Sequence, residues 1–170
     1  MGTLIDGIQE CWLGATRHSV IYDTEEHEFS SREFWAHVKG RTNIMIFVET
    51  ESGSLFGSFH SKVPLQQETW VEDDDCHFLF TLRNPWHTKP KLFKLNPDWK
   101  KTLFIYGDDQ STDVLGVFSG YWVSNNPSSF VRTLFVNGYA HSPLINSKLF
   151  VGSEWPDTFS ISHLFCLQFF

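Results

Sequence analysis

Runs of apolar residues alternate along the chain with short polar breaks, and the densest run organises the rest. Ile44-Met45-Ile46-Phe47-Val48-Glu49 is apolar at every position but the last. A strand of that kind is covered on both faces and lies deep in a sheet. Glu51 to Ser54 is polar and contains Gly53, and Leu55-Phe56-Gly57-Ser58-Phe59 then turns apolar again. The pattern predicts a β-hairpin with a turn longer than the minimum. Gly57 has no side chain where a strand residue normally packs, which marks a bulge or a close approach by another element.

Before the hairpin the period is helical. Leu4, Ile8, Cys11 and Trp12 fall on one stripe within residues 3 to 13, and Gly14 suits the helix end. After the apolar run Val20-Ile21-Tyr22, Ser30-Ser31-Arg32-Glu33 has the form of a capping box. Phe29 and Phe34 fit a hydrophobic staple, Phe34, Trp35 and Val38 make an apolar face, and Gly40 ends the helix. The following hairpin is the nearest surface for that face.

Beyond the hairpin the period is that of strands. Ser61 to Asp75 is polar; His77 to Leu82, Lys91 to Leu95 and Thr102 to Tyr106 read as strands. Val114 to Phe118 and Tyr121 to Val123 flank Ser119-Gly120, as one bulged strand or a tight pair. Phe130 to Val136 and Lys148 to Val151 are further strand candidates. Phe159, Ile161, Phe165, Leu167 and Phe169 share one parity and predict a long terminal strand that completes a sheet. About eight to ten short strands with two early helices, and no β-α-β alternation, predict a mainly β (α+β) fold. The expected architecture is a two-sheet antiparallel β-sandwich flanked by short helices. Residues 1–170 are expected to form one domain, with 1–18 as the N-terminal helix and lead-in.

Composition adds a core type. Aromatic residues make up 16% of the chain, with 17 Phe and 7 Trp, so the core should be heavy in phenylalanine. The formal charge of -7 argues against nucleic acid as a partner. Against that acidic background Arg83, Lys89, Lys91 and Lys94 are a candidate site for an acidic protein partner; a solvated lysine-bearing hairpin explains them equally well. Three cysteines, Cys11, Cys76 and Cys166, with no C-x-x-C pair, speak against a disulfide framework or a zinc site. No basic leader and no apolar run long enough for a membrane helix is present. A soluble, cytoplasmic protein is expected, with no membrane insertion and no cofactor; the oligomeric state stays open.

Candidate chemistry is sparse. Cys76 and His77 are neighbours, but adjacent strand residues point to opposite faces and cannot pair as nucleophile and base. A direct thiol antioxidant or an uncharacterised enzyme using Cys76 therefore stands as an alternative only. Asp73, Asp75, Asp108 and Asp113 are candidate Ca²⁺ ligands for a Ca²⁺-regulated binding domain. They lack the alternating D-x-D-x-D-G loop, so their two loops would have to converge in space. His60 and His163 read as satisfied core or edge histidines.

Several of these segments, in this order, resemble the TLDc domain family of the oxidation-resistance proteins. Ile21-Tyr22-Asp23, Phe29-Ser30 and the helix with Phe34 are similar to its opening segment. Asn43 to Glu49, Gly53 and Leu55-Phe56-Gly57-Ser58-Phe59 resemble its hydrophobic strand and "G-x-V-F-G-x-F" signature. His77 to Leu82 resembles "S-F-L-F-x-L", and Val117-Phe118 with Tyr121-Trp122-Val123 resembles "G-F-G-L-W". Asp157 to Ile161 and Leu164 to Phe169 resemble the closing strand. The family's glycine-rich run is replaced here by Asp108 to Asp113. The resemblance makes Phe56, Gly57, Phe59, Phe80 and Trp122 structural motif positions. It implies a helix-flanked β-sandwich, a role in the oxidative stress response (oxidation resistance), and protein binding that for several members engages the V-ATPase. It implies no established catalytic residues.

Overall fold

A computed structural model describes residues 6–8, 15, 17–108 and 112–170. The larger of its two sheets has six strands, in the order β1 (His18–Asp23), β11 (Ile161–Phe169), β2 (Ile44–Thr50), β3 (Leu55–His60), β5 (Phe78–Arg83) and β6 (Lys91–Lys94). The smaller has five, in the order β10 (Phe130–Val131), β9 (Tyr121–Ser124), β8 (Asp113–Val117), β7 (Lys101–Ile105) and β4 (Trp70–Glu72). Every neighbouring pair is antiparallel. Helices α1 (Ser31–Val38) and α2 (Phe135–Gly138) and a 3₁₀ turn at Ser147–Leu149 lie outside the sheets. This is the expected antiparallel β-sandwich with short flanking helices. No helix among the described residues is long and apolar enough to cross a membrane.

The two-sided apolar character of β2 has the predicted cause. Ile44, Ile46 and Val48 join Leu103, Ile105, Val117 and Val123 in the core between the sheets. Met45 and Phe47 face the other way, into a second cluster with Ile8, Phe59, Phe78 and Phe80. Asp6 to Ile8 are helical; Leu4, Cys11, Trp12 and Gly14 of the expected N-terminal helix lie outside the described residues.

The β2–β3 register is unbroken, with Gly57 opposite Phe47. The bulge falls at Leu55/Phe56, against β5. Gly57 therefore serves close approach: a Cβ there would lie 1.8 Å from the Ile46 carbonyl oxygen.

Helix α1 begins as its cap residue requires, with the Ser30 hydroxyl accepting from the Glu33 N–H at 3.1 Å. The reciprocal half of the box is absent. The Ser30 N–H donates to the Glu28 carbonyl at 3.1 Å, and the Glu33 carboxylate lies 3.5 Å from His37. Gly40, at φ +74°, follows the C-terminus. The helix does not use the hairpin as its main support; it packs chiefly on β1 and β8. Both faces of the hairpin are already taken, by the smaller sheet and by the second cluster. Tyr22 meets Phe34 edge-on at 5.2 Å, and the Ser31 hydroxyl donates to the Gly107 carbonyl at 3.0 Å. Ser30→Ala should lower stability by about 1 kcal/mol, read as a drop in the denaturation midpoint; an unchanged midpoint would show that the cap contributes nothing.

Four local expectations change. Trp70–Glu72 is a strand within the segment read as polar, too short for a period to show. Of Phe130 to Val136 only Phe130–Val131 is strand, and α2 follows. Lys148 to Val151 holds the end of the 3₁₀ turn rather than a strand. The terminal strand changes parity at a bulge between Ile161 and His163. Beyond it Leu164 and Cys166 enter the inter-sheet core, while Phe165, Leu167 and Phe169 lie against the second cluster. Ser119-Gly120 resolves as a tight pair, β8 with β9.

Candidate functional site

The chemistry-bearing side chains fall into one sealed group and one open surface. In the sealed group the Ser58 hydroxyl lies 2.7 Å from His60 Nε2 and 2.7 Å from the Tyr121 hydroxyl. His77 donates from Nδ1 to the Phe59 carbonyl at 2.9 Å, so its Nε2 accepts from the Tyr139 hydroxyl at 2.7 Å. The His60 and His77 rings stack at 4.6 Å. A serine beside a histidine has the form of a nucleophile–base pair. Ser58 and His60, however, are 0% exposed, and His77 is 2% exposed, so a substrate has no approach to the hydroxyl. Burial holds His60 well below the ordinary histidine range and brings His77 down to about 4. Both rings are neutral at physiological pH, and the group reads as a polar tie between the sheets.

The other candidate residues are dispersed. Cys76 packs beside the second cluster, while the His77 ring turns to Tyr139, so the two do not face each other. Burial pushes the Cys166 thiol up, away from the reactive thiolate. Asp73 pairs with Lys100 at 3.3 Å, Asp75 is exposed, Asp108 accepts from Gln67 at 2.8 Å, and Asp113 accepts from Ser124 at 2.7 Å. Lys100 precedes β7 and Asp108 follows it, so the acidic loops sit at opposite ends of that strand and do not converge. The described acid–histidine cluster whose ligand atoms come together is a different one, Asp23, Glu25 and His163, in which Asp23 and His163 bond directly at 2.7 Å.

Among the basic candidates, Arg83 pairs with Glu49. Lys91 stands opposite Thr81, and Lys94 opposite Phe78. Three positions apart on one strand, Lys91 and Lys94 point to opposite faces. Lys91 borders a cleft with Trp86 and Leu144, and Lys89 is exposed.

The open surface was not anticipated. On the outer face of the smaller sheet Phe130 stands opposite Trp122, Trp122 opposite Gly116, Gly116 opposite Phe104, and Phe104 opposite Trp70. These positions alternate with Leu103, Ile105, Leu115, Val117 and Val123, which fill the core. The aromatic members are half-buried. Gly116 makes room in the middle: a Cβ there would meet the Trp122 indole at 2.6 Å. Trp122 and Phe130 stack at 5.9 Å, and the Trp122 indole N–H donates to the Tyr106 hydroxyl at 2.6 Å. The Arg132 guanidinium carbon stands 4.9 Å from the Trp122 ring centre, and Lys101 Nζ 5.8 Å from that of Trp70. At one end Trp122, Phe130, Arg132, Thr133 and Trp155 line an open pocket of about 290 Å³. The available signal was aromatic residues at alternate positions of strands whose other face was already apolar.

The fold and these sites define an antiparallel β-sandwich with a closed polar core and an open aromatic face. Residues 3–163 match the TLDc domain family, and the chain belongs to it. A comparison with curated protein sequences found no match. Of the motif residues, Phe56 lies between the sheets, Phe59 and Phe80 lie in the second cluster, and Gly57 sits between Phe47 and Phe80. Trp122 stands on the open face.

Proposed function

We propose that this TLDc chain is a non-enzymatic protein-interaction domain that takes part in oxidative-stress protection by docking on the V-ATPase. The observation that carries the interaction reading is the row Trp70–Phe104–Trp122–Phe130 with Arg132 laid against it. Tryptophan, tyrosine and arginine are enriched at binding hot spots, where large rigid side chains bury much area at little entropic cost. What further supports it is the sealing of the serine–histidine group, which leaves its hydroxyl without a route to a substrate. The pump as partner rests on the family resemblance.

The test is to immobilise the full chain and present purified V-ATPase at low salt. Pump subunits should be retained on the chain and not on a matched β-sandwich control. Equal retention on both, or none on either, would remove the pump from the proposal.

A further inference from the structure

The pocket at the β10 end of the aromatic row combines apolar walls with a cation that has room for a ligand. Arg132 is half-buried, between Trp122 at 4.9 Å and Phe118 at 5.5 Å. One of its N–H groups donates to the Phe118 carbonyl at 2.8 Å. A guanidinium carries five donors, and among the described residues no carboxylate forms an ion pair with this one. Burial lowers its pKa, as it does for a charge held partly out of water without a counter-ion. Glu154, next to Trp155 in sequence, is occupied by the Ser147 hydroxyl.

The walls are already in place. Phe130 lies 4.7 Å from Trp155 and stacks on Trp122. The Trp155 N–H donates to the Val131 carbonyl at 2.9 Å, which ties this residue to β10. Trp155 itself is 54% exposed. At about 290 Å³ the space is below the usual size of a cofactor site and suits one or two side chains.

We infer that this pocket binds a peptide segment of the partner protein that carries a carboxylate beside an aromatic side chain. The carboxylate meets the outward N–H groups of Arg132 in a forked pair, and the ring packs against the exposed side chain of Trp155. The inference rests on the interaction reading and gives it a place and a chemistry. A forked pair desolvated by aromatic walls is stronger than an exposed one, and binding should weaken as salt is added.

The probe is a blocked peptide with the core Glu-Phe-Glu, titrated into the full isotope-labelled chain and followed by NMR. The indole N–H signals of Trp122 and Trp155 and the Arg132 amide should shift. Peptides with Gln-Phe-Gln or Glu-Ser-Glu cores should bind about tenfold more weakly, a difference of about 1.4 kcal/mol. Arg132→Gln should cost a similar factor; should it disturb folding, Trp155→Ala, at an exposed position, carries the same test. The assignment fails if the peptide shifts only distant signals, if Gln-Phe-Gln binds as well, or if millimolar peptide shifts nothing. The pump experiment is run in parallel with Trp155→Ala. Retention of the pump by both chains without peptide binding sinks the pocket and leaves the interaction reading. Peptide binding without pump retention leaves the pocket and assigns it to another protein.

Discussion

Gly57→Val is expected to leave the chain unfolded. The added Cβ would lie 1.8 Å from the Ile46 carbonyl oxygen and 2.9 Å from the Ile46 carbonyl carbon. Both atoms are backbone of the central hairpin, so no rotamer change relieves the clash. The nearest side-chain atom, Phe80 Cζ at 2.9 Å, belongs to a ring that is 0% exposed and cannot swing away. Relief requires parting β2 from β3. Such a cost exceeds about 4 kcal/mol, against a total stability of about 5–15 kcal/mol for a domain. Gly53→Ala is the matched control, because it introduces strain at φ +96° but meets nothing within 4 Å. Circular dichroism and solubility should show a folded Gly53→Ala protein and a Gly57→Val protein without a cooperative melt. A native-like melt of Gly57→Val would refute the packing role.

Stability should fall as the solution is acidified below pH 6.5, before most carboxylates titrate. His77 is held down to about 4 by burial in the folded chain, against 6.5 when unfolded. The unfolded state therefore binds the proton first. The stabilisation is complete above pH 6.5 and is lost progressively down to about pH 4, where the folded state also protonates. The shift corresponds to about 3 kcal/mol at 1.36 kcal/mol per unit. His60, lowered by burial and by the neighbouring His77 ring, adds to the loss in the same direction, since the stacked rings cannot both carry charge. Urea denaturation at stepped pH should show the midpoint falling between pH 6.5 and 4, with a shallower slope in His77→Gln. A midpoint constant over that interval would mean that the histidines titrate normally. The His77–Tyr139 contact is thus a structural tie that acid weakens.

What could be read before the fold was known follows from how local each feature is. The Ile44–Phe59 hairpin, the Ser30 cap and the terminal strand are written in neighbouring residues, and they formed where expected. Trp70–Glu72 has no period of its own, because three residues paired with β7 are defined by that partner. The parity of the terminal strand changed because the bulge at Ile161–His163 depends on pairing with β2. The support of α1 was missed for a related reason: the nearest element in sequence was already covered on both faces. The open face illustrates the same limit. Trp70, Phe104, Trp122 and Phe130 come from separate strands, and only the strand order β10-β9-β8-β7-β4 places them in one row. Lys91 and Lys94, close in sequence, are divided by the pleat.

The place of β11 has a consequence for the order of events during synthesis. It lies between β1 and β2, and Asp23 meets His163 across 140 positions of chain. At roughly 5–20 residues per second, β1 emerges from the ribosome on the order of 7–28 s before the strand that pairs with it. During that interval β1 and one edge of β2 expose unpaired backbone groups, which invite pairing with another chain. The smaller sheet and the β2–β3–β5–β6 ribbon can assemble first. The larger sheet closes last, when residues 161–169 enter the gap, a step that high sequence separation makes slow.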